Sequence, residues 1–184
     1  MKLIAETTKY KIFRDGRRIL KIGPAESIAW EAAILERLQG VQGIPSIESV
    51  MRSIDDPTLS TLITGYLPGD PLSKAVPGLP MDWVIQGLNS LIFAMYSRGV
   101  IHLNLTLDNI LSTPDGVVGL TGFSGALIIE KGSSNKFFSS PDMTGVINDQ
   151  LFTFSGPSGS VAPTATGHSL NEVLSLLRDK DIVC

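Results

Sequence analysis

The stretch Val100-Ile101-His102-Leu103-Asn104-Leu105-Thr106-Leu107-Asp108-Asn109-Ile110-Leu111, followed eleven residues later by Gly122-Phe123-Ser124, decides how this chain folds. Two short apolar runs, at 109–111 and 117–120, read as strands. Between those runs stands Pro114-Asp115-Gly116, a turn signal because proline presets one backbone angle and glycine accepts the reversed one. The two runs therefore read as a pair of short strands joined by that turn. His102, flanked by apolar residues, is expected to be a hydrogen-bonded core residue rather than a proton shuttle.

Upstream, residues 81–98 form the clearest helix. Val84, Ile85, Leu88, Leu91, Ile92 and Met95 make one apolar stripe, and Gly99 supplies the stop. Before it, Gly65-Tyr66-Leu67-Pro68-Gly69-Asp70-Pro71 and Pro77-Gly78-Leu79-Pro80 interrupt regular structure. Further upstream the pattern alternates as strands do, in Leu3-Ile4-Ala5, Tyr10-Lys11-Ile12-Phe13 and Arg18-Ile19-Leu20-Lys21-Ile22, with Asp15-Gly16 as a hairpin turn. The period changes after Gly23-Pro24. Residues 26–38 read as a helix ended by Gly40, with Ile28, Glu31, Leu35 and Leu38 at helical spacing. Two more strands follow at 46–54 and 59–64, turned by Asp55-Asp56-Pro57. Downstream, residues 131–167 are rich in Ser, Gly, Thr and Pro, with one apolar island at 146–154. Ser169-Leu170-Asn171-Glu172 then forms a capping box opening a last helix to about 178.

A chain of 184 residues suits one domain, able to bury roughly 70% of the surface its unfolded form exposes. Hydrophobic residues at 43% and charged residues at 18% place it among globular proteins. Fifteen basic residues against eighteen acidic ones, with no basic run to track phosphates, argue against nucleic acid as a partner. No uninterrupted apolar window of membrane-spanning length occurs, and the amino-terminal apolar stretch is too short for a signal peptide. The one cysteine, Cys184, leaves no internal disulfide. A cytoplasmic protein that binds neither membrane nor nucleic acid is the expectation.

The loop at 100–111 resembles the catalytic loop of protein kinases, H-R-D-L-x-x-x-N, and Gly122-Phe123-Ser124 stands where that family has D-F-G. In the same order, Lys21 resembles the third-strand lysine, Glu31 its helix partner, and Thr64-Gly65-Tyr66-Leu67-Pro68-Gly69 the hinge, with Thr64 guarding the back pocket. Ser140-Pro141-Asp142 stands for A-P-E and Asp149 for the aspartate that opens the following helix. The resemblance covers residues 1 to 155. The Leu-Thr after the aspartate position is similar to the small atypical kinases of the archaeal and eukaryotic tRNA-modification complex, which are also compact.

It implies an α+β, bilobal kinase-like fold across 1–184. The N-lobe (1–64) would be a five-stranded antiparallel sheet with one helix; a hinge and linker (65–80) and a reduced, mainly helical C-lobe (81–184) would follow. Lys21 and Glu31 would pair, main-chain groups near Gly65 and Leu67 would hold adenine, and Asn109 would face the cleft as a weak metal ligand. The chain departs from the family at two positions: Asn104 replaces the catalytic aspartate and Gly122 the metal-binding one. An amide takes no proton at neutral pH, and losing a general base costs about two to four powers of ten in rate. The connection Ala5-Glu6-Thr7-Thr8-Lys9 holds none of the glycines that let a backbone wrap phosphates. Asp108, the remaining carboxylate of the loop, is expected to be structural.

These departures imply a pseudokinase that requires no cofactor, binds ATP and magnesium weakly or not at all, and acts as a regulatory module by binding a protein partner such as a kinase or a kinase substrate. Two alternatives stand beside it: an atypical phosphotransferase or nucleotidyltransferase using Lys21, Glu31 and Asn109, and a protein kinase disabled by substitution at 104 and 122.

Overall fold

The computed structural model describes residues 1–74, 81–112 and 116–128. The breaker cluster at 77–80, most of the turn at 113–115, Ser140-Pro141-Asp142, Asp149, the apolar island, the capping box and Cys184 lie outside the described residues.

The architecture is α+β. Strands β1 (Lys2–Glu6), β2 (Lys11–Asp15) and β3 (Arg18–Pro24) form an antiparallel meander that feeds helix α1 (Ala25–Arg37). Strands β4 (Ile47–Arg52) and β5 (Leu59–Gly65) complete a five-stranded antiparallel sheet in the order β1-β2-β3-β5-β4. The β2–β3 hairpin turns on Gly16 and Arg17, one residue beyond the predicted pair. Gly16 has φ 60 at the first central position and Asp15 faces Arg18, the arrangement in which a primed turn matches strand twist. Both edge strands carry an irregularity, between Leu3 and Ala5 in β1 and between Ile47 and Ser49 in β4, which discourages pairing with another chain.

Helix α1 begins one residue earlier than its periodicity suggests, at Ala25, because Pro24 ends the strand and cannot donate to the ladder. Glu26 in the first turn and Arg37 in the last oppose the ends of the helix dipole. Its inner face buries Ile28, Ala32, Ile34 and Leu35. On β5 the side chains alternate as the pleat demands, with Ser60, Leu62 and Thr64 turned inward.

After β5, strand β6 (Asp70–Pro71) and a short 3-10 turn (Leu72–Lys74) precede helix α2 (Met81–Ser97). Strands β7 (Val100–Ile101), β8 (Ile110–Ser112), β9 (Val118–Leu120) and β10 (Leu127–Ile128) follow, with a 3-10 turn at Phe123–Gly125. β8 and β9 form the expected antiparallel pair, joined at its edge by β6, while β10 pairs with β7. No periodicity betrays β6, β7 or β10, which are two residues each and exist only through these pairings.

One contiguous apolar core runs from Ile28 and Leu35 on α1, through Leu62 on β5, to Leu88 and Met95 on α2 and Leu120 and Phe123 beyond it. Two glycines permit the closest approaches. A Cβ on Gly43, whose φ is +84, would lie 2.3 Å from the Val118 carbonyl oxygen, and one on Gly87 would lie 2.7 Å from the Val118 side chain. The loop after α1 therefore rests directly on β9, and Leu120 donates its N–H to the Gly43 carbonyl at 2.8 Å. Arg37 Nε donates to the Arg98 carbonyl at 2.6 Å and Arg98 returns a bond to the Gln39 carbonyl at 2.9 Å, so the ends of α1 and α2 are stitched together. Among the described residues no helix is long and apolar enough to cross a membrane.

Candidate functional site

The strand register builds the first half of the site. Lys21 faces Leu62 across the β3–β5 pair and so points to the inner side of the sheet, toward α1. There its Nζ donates to Glu31 Oε2 at 2.6 Å, and both side chains are almost completely buried, at 11% and 6% exposure. Most lysines and glutamates lie at the surface, and a charge removed from water survives only with a partner. The other three ion pairs of the described residues, Met1–Asp15, Lys11–Glu6 and Arg18–Glu48, are solvated surface contacts worth little. A second neighbour of Lys21 escaped the sequence reading: the Tyr10 ring, whose centroid lies 4.1 Å from Nζ. Its signal was available in the hairpin register, since Ile12 opposes Lys21 and side chains of a strand return to one face every second residue.

The second half is the loop between β7 and β8. His102 is 3% exposed and stands edge-on to Phe123, with ring centroids 4.7 Å apart. Its Nε2 lies 2.9 Å from the Thr121 carbonyl oxygen, and its Nδ1 lies 3.3 Å from the Asn104 backbone N–H. A carbonyl can only accept and a backbone N–H can only donate, so Nε2 carries the proton and Nδ1 is bare. Burial pushes this imidazole down to about 4, against a partial upward pull from the Thr121 carbonyl. His102 is thus a neutral clamp, as expected of a core histidine. It holds Leu103 at φ 55, a backbone region costing a branched aliphatic residue about 1 to 3 kcal/mol.

That clamp fixes Asn104, and Asn104 fixes Asn109. The Asn109 Nδ2 donates to the Asn104 carbonyl at 2.9 Å, and the Asn109 carbonyl accepts the Thr121 N–H at 2.9 Å. Gly122 follows with φ 81 and ψ 43. A Cβ built there would fall 2.6 Å from Asn109 Oδ1, so Asn109 lies over the bare backbone of Gly122. The Asn104 backbone carbonyl, the Asn109 side chain and the Gly122 backbone therefore meet at one spot. Asp108 takes no part: its Oδ1 accepts the Ser73 hydroxyl, which ties the loop to the turn before α2.

The two halves are joined through α1. Trp30, one residue before Glu31, donates its indole N–H to the Ala126 carbonyl at 2.8 Å, and α1 packs on the turn that carries Phe123. After β5, the Gly65 N–H is committed to the Ser46 carbonyl and the Tyr66 N–H to the Arg17 carbonyl, both at 2.8 Å. Arg14 stacks over the Tyr66 ring at 3.7 Å. Leu67 is half-buried, its Cδ1 directed at β9 beside Gly119. Thr64 is buried, 6% exposed, at the end of β5.

Magnesium prefers charged oxygen donors, whereas the oxygen over Gly122 is the neutral amide oxygen of Asn109, whose own nitrogen is already bonded to the Asn104 carbonyl. Among the described residues, no three His, Cys, Asp or Glu side chains gather to hold a metal. A neutral amide by itself is a poor ligand set for magnesium. The sequence matches no model of a known protein family and no curated protein.

Proposed function

We propose that this chain is a two-lobed, kinase-like pseudokinase of the cytoplasm that works by binding a partner protein, an active kinase or a kinase substrate, rather than by transferring phosphate. The observation that carries the reading is the buried Lys21–Glu31 pair, joined through α1 to a loop and turn in which Asn104, Asn109 and Gly122 converge without a carboxylate. Burying a lone ion pair is not the cheapest way to fill a core, so its retention points to an ancestry in which that lysine met a phosphate. In this reading the position that should take the hydroxyl proton bears an amide, and the position that should grip the metal bears no side chain.

Asp108 is a poor substitute base in this reading, because its carboxylate is directed to the Ser73 hydroxyl on the turn before α2. Weak adenine binding is in keeping with the segment after β5, where the N–H groups of Gly65 and Tyr66 are already paired within the chain. The test is phosphoryl transfer and ATP hydrolysis by the unaltered chain with magnesium or manganese, set against the double variant Lys21→Met/Glu31→Leu. The reading expects no turnover above that control; ATP consumption that depends on Lys21 defeats it and favours an atypical transferase. Recovery of transfer in Asn104→Asp/Gly122→Asp would instead identify a kinase silenced at those two positions.

A further inference from the structure

We propose that Tyr10 is a built-in plug on the anion position at Lys21, so that the chain excludes polyphosphate by its own side chain and not merely by lacking carboxylates. The identity of the excluded ligand, the triphosphate of a nucleotide, rests on the kinase-like reading above.

Three independent features hold the ring in place. The first is charge: Lys21 Nζ has Glu31 on one side at 2.6 Å and the face of Tyr10 at 4.1 Å, leaving the residue only 9% exposed. The second is shape. Gly23, two residues along β3 on the same face as Lys21, makes a slot for the ring: a Cβ at that position would lie 2.3 Å from Tyr10 Cδ1 and 2.7 Å from Cε1. The third is the turn that delivers the ring. Between β1 and β2 the chain reverses through residues 7–10 only. Thr7 closes that turn, its N–H donating to the Tyr10 carbonyl at 2.9 Å and its Oγ1 accepting the N–H of Tyr10 at 3.0 Å and of Lys9 at 3.3 Å.

A flexible glycine loop would leave the lysine open to an anion. This short, threonine-clamped turn instead drops an aromatic face onto it. A polyphosphate reaching Nζ must first lift the ring out of the Gly23 slot and replace its contact with the ammonium.

The experiment compares ATP, and inorganic tripolyphosphate without metal, by calorimetric titration on the full chain. The unaltered protein and Tyr10→Phe, which keeps the ring, are expected to bind equally poorly. Tyr10→Ala is expected to bind tripolyphosphate about tenfold tighter, the factor a cation–π contact of this kind is worth. Gly23→Ala should give a gain of the same sign, because the added methyl evicts the ring while Tyr10 stays in the sequence. Both gains should vanish when Lys21→Met/Glu31→Leu is added. Should Tyr10→Ala not fold, Tyr10→Leu replaces it, keeping apolar cover over Gly23 without a π face.

Equal binding by folded Tyr10→Ala or Tyr10→Leu and the unaltered chain overturns the plug, as does a gain in Tyr10→Phe equal to that in Tyr10→Ala. A gain that survives loss of Lys21 overturns it too. Failure of the pseudokinase reading looks different: ATP turnover by the unaltered chain defeats that reading, whereas the plug stands or falls on the gain in the Tyr10 and Gly23 variants.

Discussion

Lowering the pH should destabilise this fold through His102 before general acid unfolding sets in. In the unfolded chain the imidazole titrates near 6.5, and in the folded chain burial holds it down to about 4. The folded state therefore refuses a proton that the unfolded state accepts. The stability this contributes is fully present above pH 6.5 and is lost as the pH falls toward 4. At ~1.4 kcal/mol for each unit, the whole difference is about 3 kcal/mol, of which about 2 kcal/mol disappears between pH 7 and pH 5. For a chain of this size that loss lowers Tm by about 4 to 8 °C. Other groups titrate in the same window, so the assay is the difference between two proteins. Melts followed by circular dichroism at pH 7, 6 and 5 are compared for the unaltered chain and His102→Gln, whose amide can still donate to the Thr121 carbonyl. The variant starts lower at pH 7 but should fall less steeply. Parallel declines in the two proteins would show that His102 is not held neutral, and the account of the Leu103–Asn104 backbone built on that clamp would go with it.

Three further outcomes test the site and its frame. Lys21→Met should cost about 3 to 5 kcal/mol in urea unfolding because it strands the Glu31 carboxylate, and Lys21→Met/Glu31→Leu should recover most of that; a single-variant cost under about 1 kcal/mol would mean the pair is solvated. Gly122→Asp should destabilise by about 1 to 2 kcal/mol, since aspartate tolerates the reversed backbone but must push Asn109 off the Asn104 carbonyl; adding Asn109→Ala should make the combined cost smaller than the sum, and strict additivity would contradict the contact. Gly43→Ala should cost at least about 2 kcal/mol more than Gly40→Ala, because both residues have reversed φ but only Gly43 meets the rigid backbone of Val118, and equal losses would refute the close packing of that loop on β9.

The elements most legible in the sequence were those whose residues declare their own periodicity. The meander at the amino terminus, α1 with Ile28, Glu31 and Leu35 on one face, β5 and α2 could all be read within a residue or two, since alternation and the helical repeat are local properties. The ion pair of Lys21 and Glu31 was readable only through the resemblance. Nothing local distinguishes a lysine buried on β3 from its solvated neighbours.

What tertiary structure alone decided is where side chains separated in sequence meet. The strands β6, β7 and β10 exist because distant partners satisfy their backbone groups. Asn109 overlies Gly122 because the Thr121 N–H and the Asn104 carbonyl hold it from both sides, and Tyr10 reaches Lys21 because Gly23 leaves room for a ring. Residue identity determined that the loop carries Asn104 and the turn Gly122. Only packing decided what lies against them, because a close-packed interior brings whatever neighbour the fold supplies within van der Waals reach.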